Sequence, residues 1–240
     1  MMNLLDALSR HAMPVNLKQL ATETRLHPST AHRILSVMVD SRLVDRIEPG
    51  TYRLGIRLLE LGNLVKSRIS VRQEALPHMQ DLHQELGETV NLSVRHDDEV
   101  VYIERTSGNN SMMRVVQIIG ARAPLHITAV GKLFLAEDGA DKCADYARRT
   151  GLPRFTENTL TDADALVKEL ERIRRQGYAF DNEEAEKGVS CIGAGIYSDD
   201  GRLVAGLSVS APVDRLNKGW AAQVRQTAER ISRAIGHPRP

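Results

Sequence analysis

The stretch HPSTAHRILSVMV, residues 27–39, marks the start of a helix sharply and separates two kinds of side chain. Proline is favoured at the first position of a helix, and Pro28 fits that position. Apolar residues follow at helical spacing and are expected to face back onto neighbouring helices: Ile34, Leu35, Val37 and Met38. The polar residues of the first turns are left on the outward side: Ser29, Thr30, His32 and Arg33.

The segments around this helix predict a small domain. Residues 2–11 carry leucines at helical spacing, and residues 17–24 form a second amphipathic helix with Asn16 as its N-cap. After the third helix, residues 43–47 and 51–54 read as two short strands joined by a turn that contains proline and glycine. Three short helices followed by a hairpin indicate a winged helix-turn-helix.

A winged helix-turn-helix presents the N-terminal turn of its last helix to the major groove of DNA. We therefore predict that Thr30, His32 and Arg33 contact base edges, and that Ser29 contacts a phosphate. On the wing strands, Arg46 and Arg53 are predicted to hold the DNA backbone. The alternative is that this turn is only a capped, solvated helix start.

The distribution of charge agrees with a DNA-binding front segment. Residues 1–70 carry ten Lys and Arg against six Asp and Glu, a net charge of +4, whereas residues 71–240 carry 22 against 25, a net charge of −3. No apolar run approaches the roughly 18 residues that a membrane span needs, and the first residues do not resemble a secretory signal. We expect a cytoplasmic protein without a membrane partner.

The remaining chain predicts an α+β domain. Residues 55–69 read as a linker helix with a possible dimer contact, and residues 71–87 as another helix. Hairpins are predicted over 89–106 and 189–211, with a further strand in MMRVVQI, residues 112–118. Thr161 and Asp164 are predicted to form a capping box for a helix that ends at Gly177, and a last helix carries Val224, Ala228, Ile231 and Ile235. Helices that cover an antiparallel sheet make an α+β fold.

Four motifs occur together along this chain: PSTAHRIL, GTYRLGIRLLELG, APLHITAVGKLFLA and GYAFDNEEAEKGVSCIGAGIY. Their order and spacing resemble the IclR family of bacterial transcription regulators over nearly the entire chain. The resemblance implies a winged helix-turn-helix domain at 1–54, a linker helix at 55–70 and a GAF-like effector-binding domain at 71–240. It also implies that the protein is no enzyme and binds double-stranded operator DNA as a dimer or a dimer of dimers. Repression and activation both occur in the family.

The resemblance further implies a pocket for a small effector, commonly a carboxylic acid from a catabolic pathway. The matching positions in this chain are Met112, Val115, Ala129, Val130, Asp181, Cys191, Ser208 and Ser210. No cofactor is implied.

The chemistry of these residues suits an organic acid. Ala129 and Val130 lie where a loop enters a helix, and free N–H groups at a helix start attract an anion. Ser208 and Ser210 lie two apart on a predicted strand, so both hydroxyls point to one face and can donate to one carboxylate. Asp181 repels an acid unless it accepts a hydrogen bond from a ligand hydroxyl. We therefore expect a hydroxy acid, a hydrated keto acid or an aromatic carboxylic acid.

Other interpretations of the rear domain remain open. It could serve only for oligomerisation, or the chain could be an enzyme acting on a small molecule. His126, Ser208 and Asp181 could be assembled on paper into a hydrolase triad, but neither serine lies in a GxSxG elbow. Gly193 and Gly195 precede a strand and not a helix, so they indicate close packing and no dinucleotide loop. Cys143 and Cys191 are expected to be free thiols, and no Cys/His spacing is typical of a metal site.

Overall fold

The computed structural model describes residues 1–47, 50–67, 70–106 and 119–238, which form two compact units, Met1–Ile69 and Ser70–Pro240. The elements of the first unit are α1 (Met2–Ser9), β1 (Val15–Asn16), α2 (Leu17–Thr24), α3 (Pro28–Asp40), β2 (Val44–Ile47), β3 (Thr51–Leu54) and α4 (Ile56–Ser67). The three strands form an antiparallel sheet in the order β1-β3-β2. Three helices and the β2-β3 hairpin after them confirm the predicted winged helix-turn-helix, and β1, between α1 and α2, adds a third strand to the hairpin.

Local signals fix the helix-turn-helix. The Asn16 side chain accepts the N–H of Gln19 at 2.9 Å and caps α2, as predicted. The helix ends at Arg25, whose positive φ of 55° turns the chain towards α3. Pro28 occupies the first turn of α3, as the sequence predicts. α3 therefore begins at the expected residue.

The core of the first unit confirms most of the apolar pattern of α3 and corrects one residue. Leu35 and Met38 are fully buried and Ile34 is half-buried, so these side chains do face the core. Val37, however, is 51% exposed, and the expectation that it faces inward is wrong. Val37 lies four residues after Arg33, and this spacing places both on the outward face of the helix.

The second unit is an α+β fold with a six-stranded antiparallel sheet in the order β6-β5-β4-β9-β8-β7, as the predicted fold class requires. Its elements are α5 (Ser70–Leu86), β4 (Thr89–His96), β5 (Glu99–Thr106), β6 (Arg122–Pro124), α6 (Ala129–Asp138), α7 (Ala140–Thr150), α8 (Ala163–Gln176), β7 (Tyr178–Asn182), β8 (Val189–Tyr197), β9 (Leu203–Pro212) and α9 (Ala221–Ala234). Both predicted hairpins are present, as β4-β5 and β8-β9.

The two faces of this sheet have different surroundings because side chains alternate along a strand. α6 packs against β8 and β9 on the face that carries Gly193 and Gly206. α5 packs on β4 and β5, and α9 packs on β8 and β9 and against α5. The intervening residues Ile192, Leu207 and Val209 are fully buried and point to the opposite face. The α6 face is therefore the one that can hold polar groups.

The structure corrects one helix cap and adds elements that the sequence did not predict. α8 is capped by Asp162, whose carboxylate accepts the N–H of Ala165 at 2.8 Å, so the predicted capping box of Thr161 and Asp164 is wrong. The predicted end at Gly177 is confirmed. In the second unit, the elements outside the sequence predictions include β6, α7 and β7. The predicted strand at 112–118 lies outside the described residues. No helix within the described ranges is long and apolar enough to cross a membrane.

Candidate functional site

The start of α3 is held in place by a side chain that the sequence did not single out. Nδ1 of His27 lies 2.8 Å from the hydroxyl of Ser29 and accepts the N–H of Ser29 at 3.4 Å. His27 is therefore the N-cap of this helix. Because phosphate oxygens only accept hydrogen bonds, the Ser29 hydroxyl must turn its proton away from His27 to make the predicted phosphate contact.

The predicted DNA-contact residues of α3 share one solvent-facing side. Ser29, His32 and Arg33 are exposed, and Thr30 is half-buried. This arrangement leaves two hydroxyls, an imidazole and a guanidinium within the first two turns of the helix. Such side chains can contact base edges and phosphates when a helix end enters the major groove.

The two wing arginines do not share a face. Arg46 lies opposite Tyr52 in the β2-β3 register, whereas Arg53 lies opposite Asp45. Neighbouring residues of a strand point to opposite faces, so Arg46 and Arg53 point away from each other across the wing. Arg53 also forms an exposed ion pair with Asp45 at 3.2 Å, while both arginine side chains remain exposed. The two arginines therefore cannot both contact one DNA backbone from a single face of the hairpin.

A cavity in the second unit lies between the start of α6 and strands β5, β7, β8 and β9. It is lined by every predicted effector residue within the described ranges, which are Ala129, Val130, Asp181, Cys191, Ser208 and Ser210. The other two, Met112 and Val115, lie outside the described residues. The lining atoms surround about 530 Å³ of space, including the open mouth. The sequence did not predict the remaining lining residues, Tyr102, Ala123, Thr128, Ala185, Glu186 and Val189.

Small residues on β8 and β9 allow the start of α6 to approach the sheet closely. A methyl group on Gly206 would lie 2.2 Å from Cγ1 of Val130, and one on Gly193 would lie 3.0 Å from Cβ of Ala129. Thr128 caps the helix by accepting the N–H of Gly131 at 3.0 Å. The N–H groups of Ala129 and Val130 lie in the first turn and have no acceptor within the helix. They therefore give this end of the cavity a positive potential.

A row of polar side chains crosses the sheet below this helix start. The strand register places Asp181 opposite Cys191, and Cys191 opposite Ser210. The sulfur of Cys191 lies 3.1 Å from the hydroxyl oxygen of Ser210. Burial, together with the nearby charge of Asp181, raises the pKa of the Cys191 thiol well above its ordinary value, which opposes a role as a nucleophile.

Asp181 is buried and titrates near neutrality. Burial and then the nearby carboxylate of Glu184 raise its pKa to about 7, although hydrogen bonds from two backbone N–H groups oppose the shift. Oδ1 of Asp181 accepts the N–H of Glu184 at 2.7 Å and that of Ala185 at 3.4 Å. In its protonated form this carboxyl can donate a hydrogen bond to a ligand oxygen, which removes much of the repulsion expected for an acid.

A buried ion pair supports the loop that follows β7 and Asp181. Lys132, on α6, is fully buried, and its Nζ lies 2.7 Å from each carboxylate oxygen of Glu184. Glu169, on α8, lies 3.7 Å from the same nitrogen. Burial raises the pKa of Glu184, and the charge of Lys132 opposes that shift. The sequence places Lys132 in an apolar helix and gives no local sign of its partner 52 residues away.

The hydrolase triad is not formed. His126 is buried outside the cavity lining, with Nδ1 2.9 Å from the hydroxyl of Tyr146 and Nε2 3.1 Å from the carbonyl oxygen of Pro153. Both ring nitrogens are thus occupied by groups other than Ser208 and Asp181. Among the described residues, no group of three or more His, Cys, Asp or Glu side chains could hold a metal ion.

A winged helix-turn-helix joined in one chain to an α+β unit with a cavity that contains a few polar side chains is typical of a DNA-binding transcriptional regulator with a ligand-binding domain. Residues 1–48 match the model of the IclR helix-turn-helix domain. Residues 64–233 match the model of the bacterial transcriptional regulator IclR C-terminal domain. The chain belongs to the IclR family, and the predicted resemblance is confirmed.

Proteins that match this chain over most of their length are named as transcriptional regulators. An uncharacterized HTH-type transcriptional regulator of Haemophilus influenzae is 36% identical, and the match covers 98% of this chain and 91% of that protein. The transcriptional repressor AllR of Salmonella typhi is 34% identical over 97% of this chain and 87% of its own length. These relatives are named as regulators and repressors, so the prediction that the chain is not an enzyme is confirmed.

Solved structures share the fold over nearly the whole chain. The IclR protein of Thermotoga maritima has a TM-score of 0.82 and 32% identity, covering 98% of this chain and 97% of that chain. An IclR homolog from Microbacterium hydrocarbonoxydans, solved with 4-hydroxybenzoate, has a TM-score of 0.86 and 27% identity, covering 98% of this chain and 96% of that one.

Proposed function

We propose that this protein regulates transcription by binding operator DNA with an affinity controlled by a small organic acid, a hydroxy, keto or aromatic carboxylate, held in the cavity of its second unit. Residues 1–54 contact DNA, residues 55–70 link the two parts, and residues 71–240 bind the effector. Such a regulator acts in the cytoplasm. One observation carries the proposal: the start of α6, the hydroxyls of Ser208 and Ser210 and the carboxyl of Asp181 meet in one cavity.

The cavity can donate hydrogen bonds to a carboxylic acid, although no cationic side chain is among its described lining residues. The described lining contains no Lys or Arg, so positive potential comes from the N–H groups of Ala129 and Val130 at the helix start. Ser208 and Ser210 point to the same side and can donate to a carboxylate. Asp181 can accept from an effector hydroxyl or, when protonated, donate to an effector oxygen. A carboxylate at the helix start and a second polar group near Asp181 suit these positions, and the 4-hydroxybenzoate complex of the Microbacterium protein shows an acid of this class bound to a relative.

The effector test is thermal unfolding of the full chain with 4-hydroxybenzoate, lactate, pyruvate and glyoxylate. An acid present at a hundred times its dissociation constant should stabilise the protein by about 2.7 kcal/mol. Ser210→Ala should lose most of this gain, whereas Ser198→Ala, in a turn of the same unit, should retain it. The bound acid should also change the affinity for operator DNA. If no acid changes the melting curve, the second unit serves oligomerisation or another class of ligand, and the acid assignment is wrong.

The proposed DNA contacts predict a strong effect of one arginine. Arg33→Ala should weaken binding to a duplex selected by the protein from a random pool by about 10- to 100-fold, because a guanidinium contact to a base edge contributes about 1–3 kcal/mol. Wild-type affinity should itself fall by orders of magnitude between about 50 and 200 mM salt. Fluorescence anisotropy measures both. Arg148→Ala, at an exposed arginine of α7, is the control. Equal affinities for Arg33→Ala and the wild type would exclude this contact.

The proposed assembly is a homo-oligomer, a dimer or a dimer of dimers. α4 exposes apolar side chains, with Ile56 57% and Leu59 59% exposed, and burial of such a surface favours association. Two copies would present two α3 helices to half-sites in successive major grooves. A palindromic or near-palindromic operator is expected.

A further inference from the structure

The polar row of the cavity continues onto a strand that the predicted site does not include. Asn91, on β4, is 1% exposed, and its Nδ2 donates to the hydroxyl oxygen of Ser210 at 3.1 Å. Asn91 itself is not among the cavity-lining residues. It touches the site only through Ser210, so any role in binding must act through that hydroxyl.

The hydrogen bond from Asn91 decides where the Ser210 proton can go. A hydroxyl has one proton to donate, and its oxygen here accepts from an amide N–H, which is a donor only. The proton then points either to the sulfur of Cys191, 3.1 Å away, or into the cavity. Sulfur is a weak acceptor, so a carboxylate or carbonyl oxygen in the cavity will take the proton in preference.

The other end of the same amide carries an energetic cost. Oδ1 of Asn91 is buried without a hydrogen-bond partner among the described residues. A buried acceptor left unpaired normally destabilises a protein. Rotation of the amide by 180° would place Oδ1 beside Ser210, and Ser210 would then donate its proton to Asn91. The orientation in the structure is the one that keeps the Ser210 proton available.

We infer that Asn91 is a positioning residue of the effector site: its amide orients the Ser210 hydroxyl as a donor to an oxygen of the bound acid. This inference rests on the proposed function. It adds to the site a residue from β4 and explains how one serine of the pair is committed to donation.

The test is titration calorimetry on the full chain with whichever of 4-hydroxybenzoate, lactate, pyruvate and glyoxylate gives the largest thermal shift. Asn91→Leu, of similar shape, removes the donor and should weaken binding about 3- to 10-fold, the effect of one neutral hydrogen bond. Asn91→Asp replaces the donor by an acceptor that takes the Ser210 proton, so it should weaken binding further. Ser93→Ala is the matched control, since Ser93 is buried two residues along the same strand and is not bonded to Ser210.

A double-mutant comparison separates positioning from structural support. In the Ser210→Ala background, Asn91→Leu should cause no further loss of affinity, because the hydroxyl that it orients is gone. An equal loss in both backgrounds, or unchanged affinity of Asn91→Leu in the Ser210 protein, would overturn the inference while the effector site stands. If the wild-type chain binds none of the four acids, the proposed acid effector is overturned and this inference with it.

Discussion

Gly131→Ala will destabilise the second unit by about 3 kcal/mol or more. A methyl group at this position, in the first turn of α6, would lie 2.2 Å from the carbonyl oxygen of Leu125 and 2.5 Å from Oγ1 of Thr128. The carbonyl oxygen of Leu125 belongs to the backbone and cannot change rotamer as a side chain can. The start of α6 must therefore move away from the segment before it. Urea unfolding followed by the fluorescence of Trp220, the single tryptophan of the chain, reports this loss in the second unit.

The matched control is Gly62→Ala in α4, where a methyl group meets nothing within 4 Å. Alanine is the better helix former, so this substitution should raise the free energy of unfolding by up to about 1 kcal/mol, measured by circular dichroism. A Gly131→Ala protein as stable as the wild type would show that the start of α6 does not depend on the close approach seen here.

Lys132→Met will destabilise the protein by about 3–5 kcal/mol at pH 8. The substitution keeps the length of the side chain but leaves the buried carboxylate of Glu184 without its partner, and an uncompensated buried charge has a cost of this size. Adding Glu184→Gln to Lys132→Met should recover much of the loss, because the remaining group is neutral. Urea unfolding of the two variants and the wild type measures the effect.

The same variant should respond to pH with a defined sign. Burial raises the pKa of Glu184, and Lys132 opposes that rise, so its removal raises the pKa further. Glu184 of the folded Lys132→Met protein then binds more protons than in the unfolded chain. Because Asp181 already titrates near 7 in the wild type, the expected effect is a gain in stability relative to the wild type as the pH falls from 8 to 5. A loss below 1 kcal/mol with no such pH dependence would show that the ion pair does not hold this loop.

The parts of the fold that could be predicted are those with local causes. Asn16 and Gly177 mark helix ends through their own side chain or backbone, and the β4-β5 and β8-β9 hairpins follow from alternation on either side of a turn. β7 was not predicted because its five residues show no alternation of their own and are stabilised by pairing with β8. At α8, adjacent threonine and aspartate both suit a cap, and the tertiary structure selects Asp162.

The residues of the candidate site also divide into those that the sequence could predict and those that depend on tertiary structure. The residues of the start of α6 and of β9 could be placed in the cavity because a family pattern and a two-residue spacing point to them. Lys132 and Asn91 could not, because their partners lie 52 and 119 residues away in sequence. His27 could have been found from its position directly before Pro28, where a helix cap is expected. Tyr102 could have been found from the alternation of β5, which places it opposite Ser93 on the cavity side of the sheet.

Side chains alternate along β9, so residues that line the cavity and residues that stabilise the sheet are different residues. Ser208 and Ser210 face the cavity, whereas Leu207 and Val209, their neighbours in sequence, belong to the buried layer on the other side. A substitution that changes which compound the cavity accepts therefore need not alter the hydrophobic layer that stabilises the sheet. If the cavity is the proposed effector site, mutation can redirect the domain towards a different ligand one residue at a time, with the sheet left unchanged.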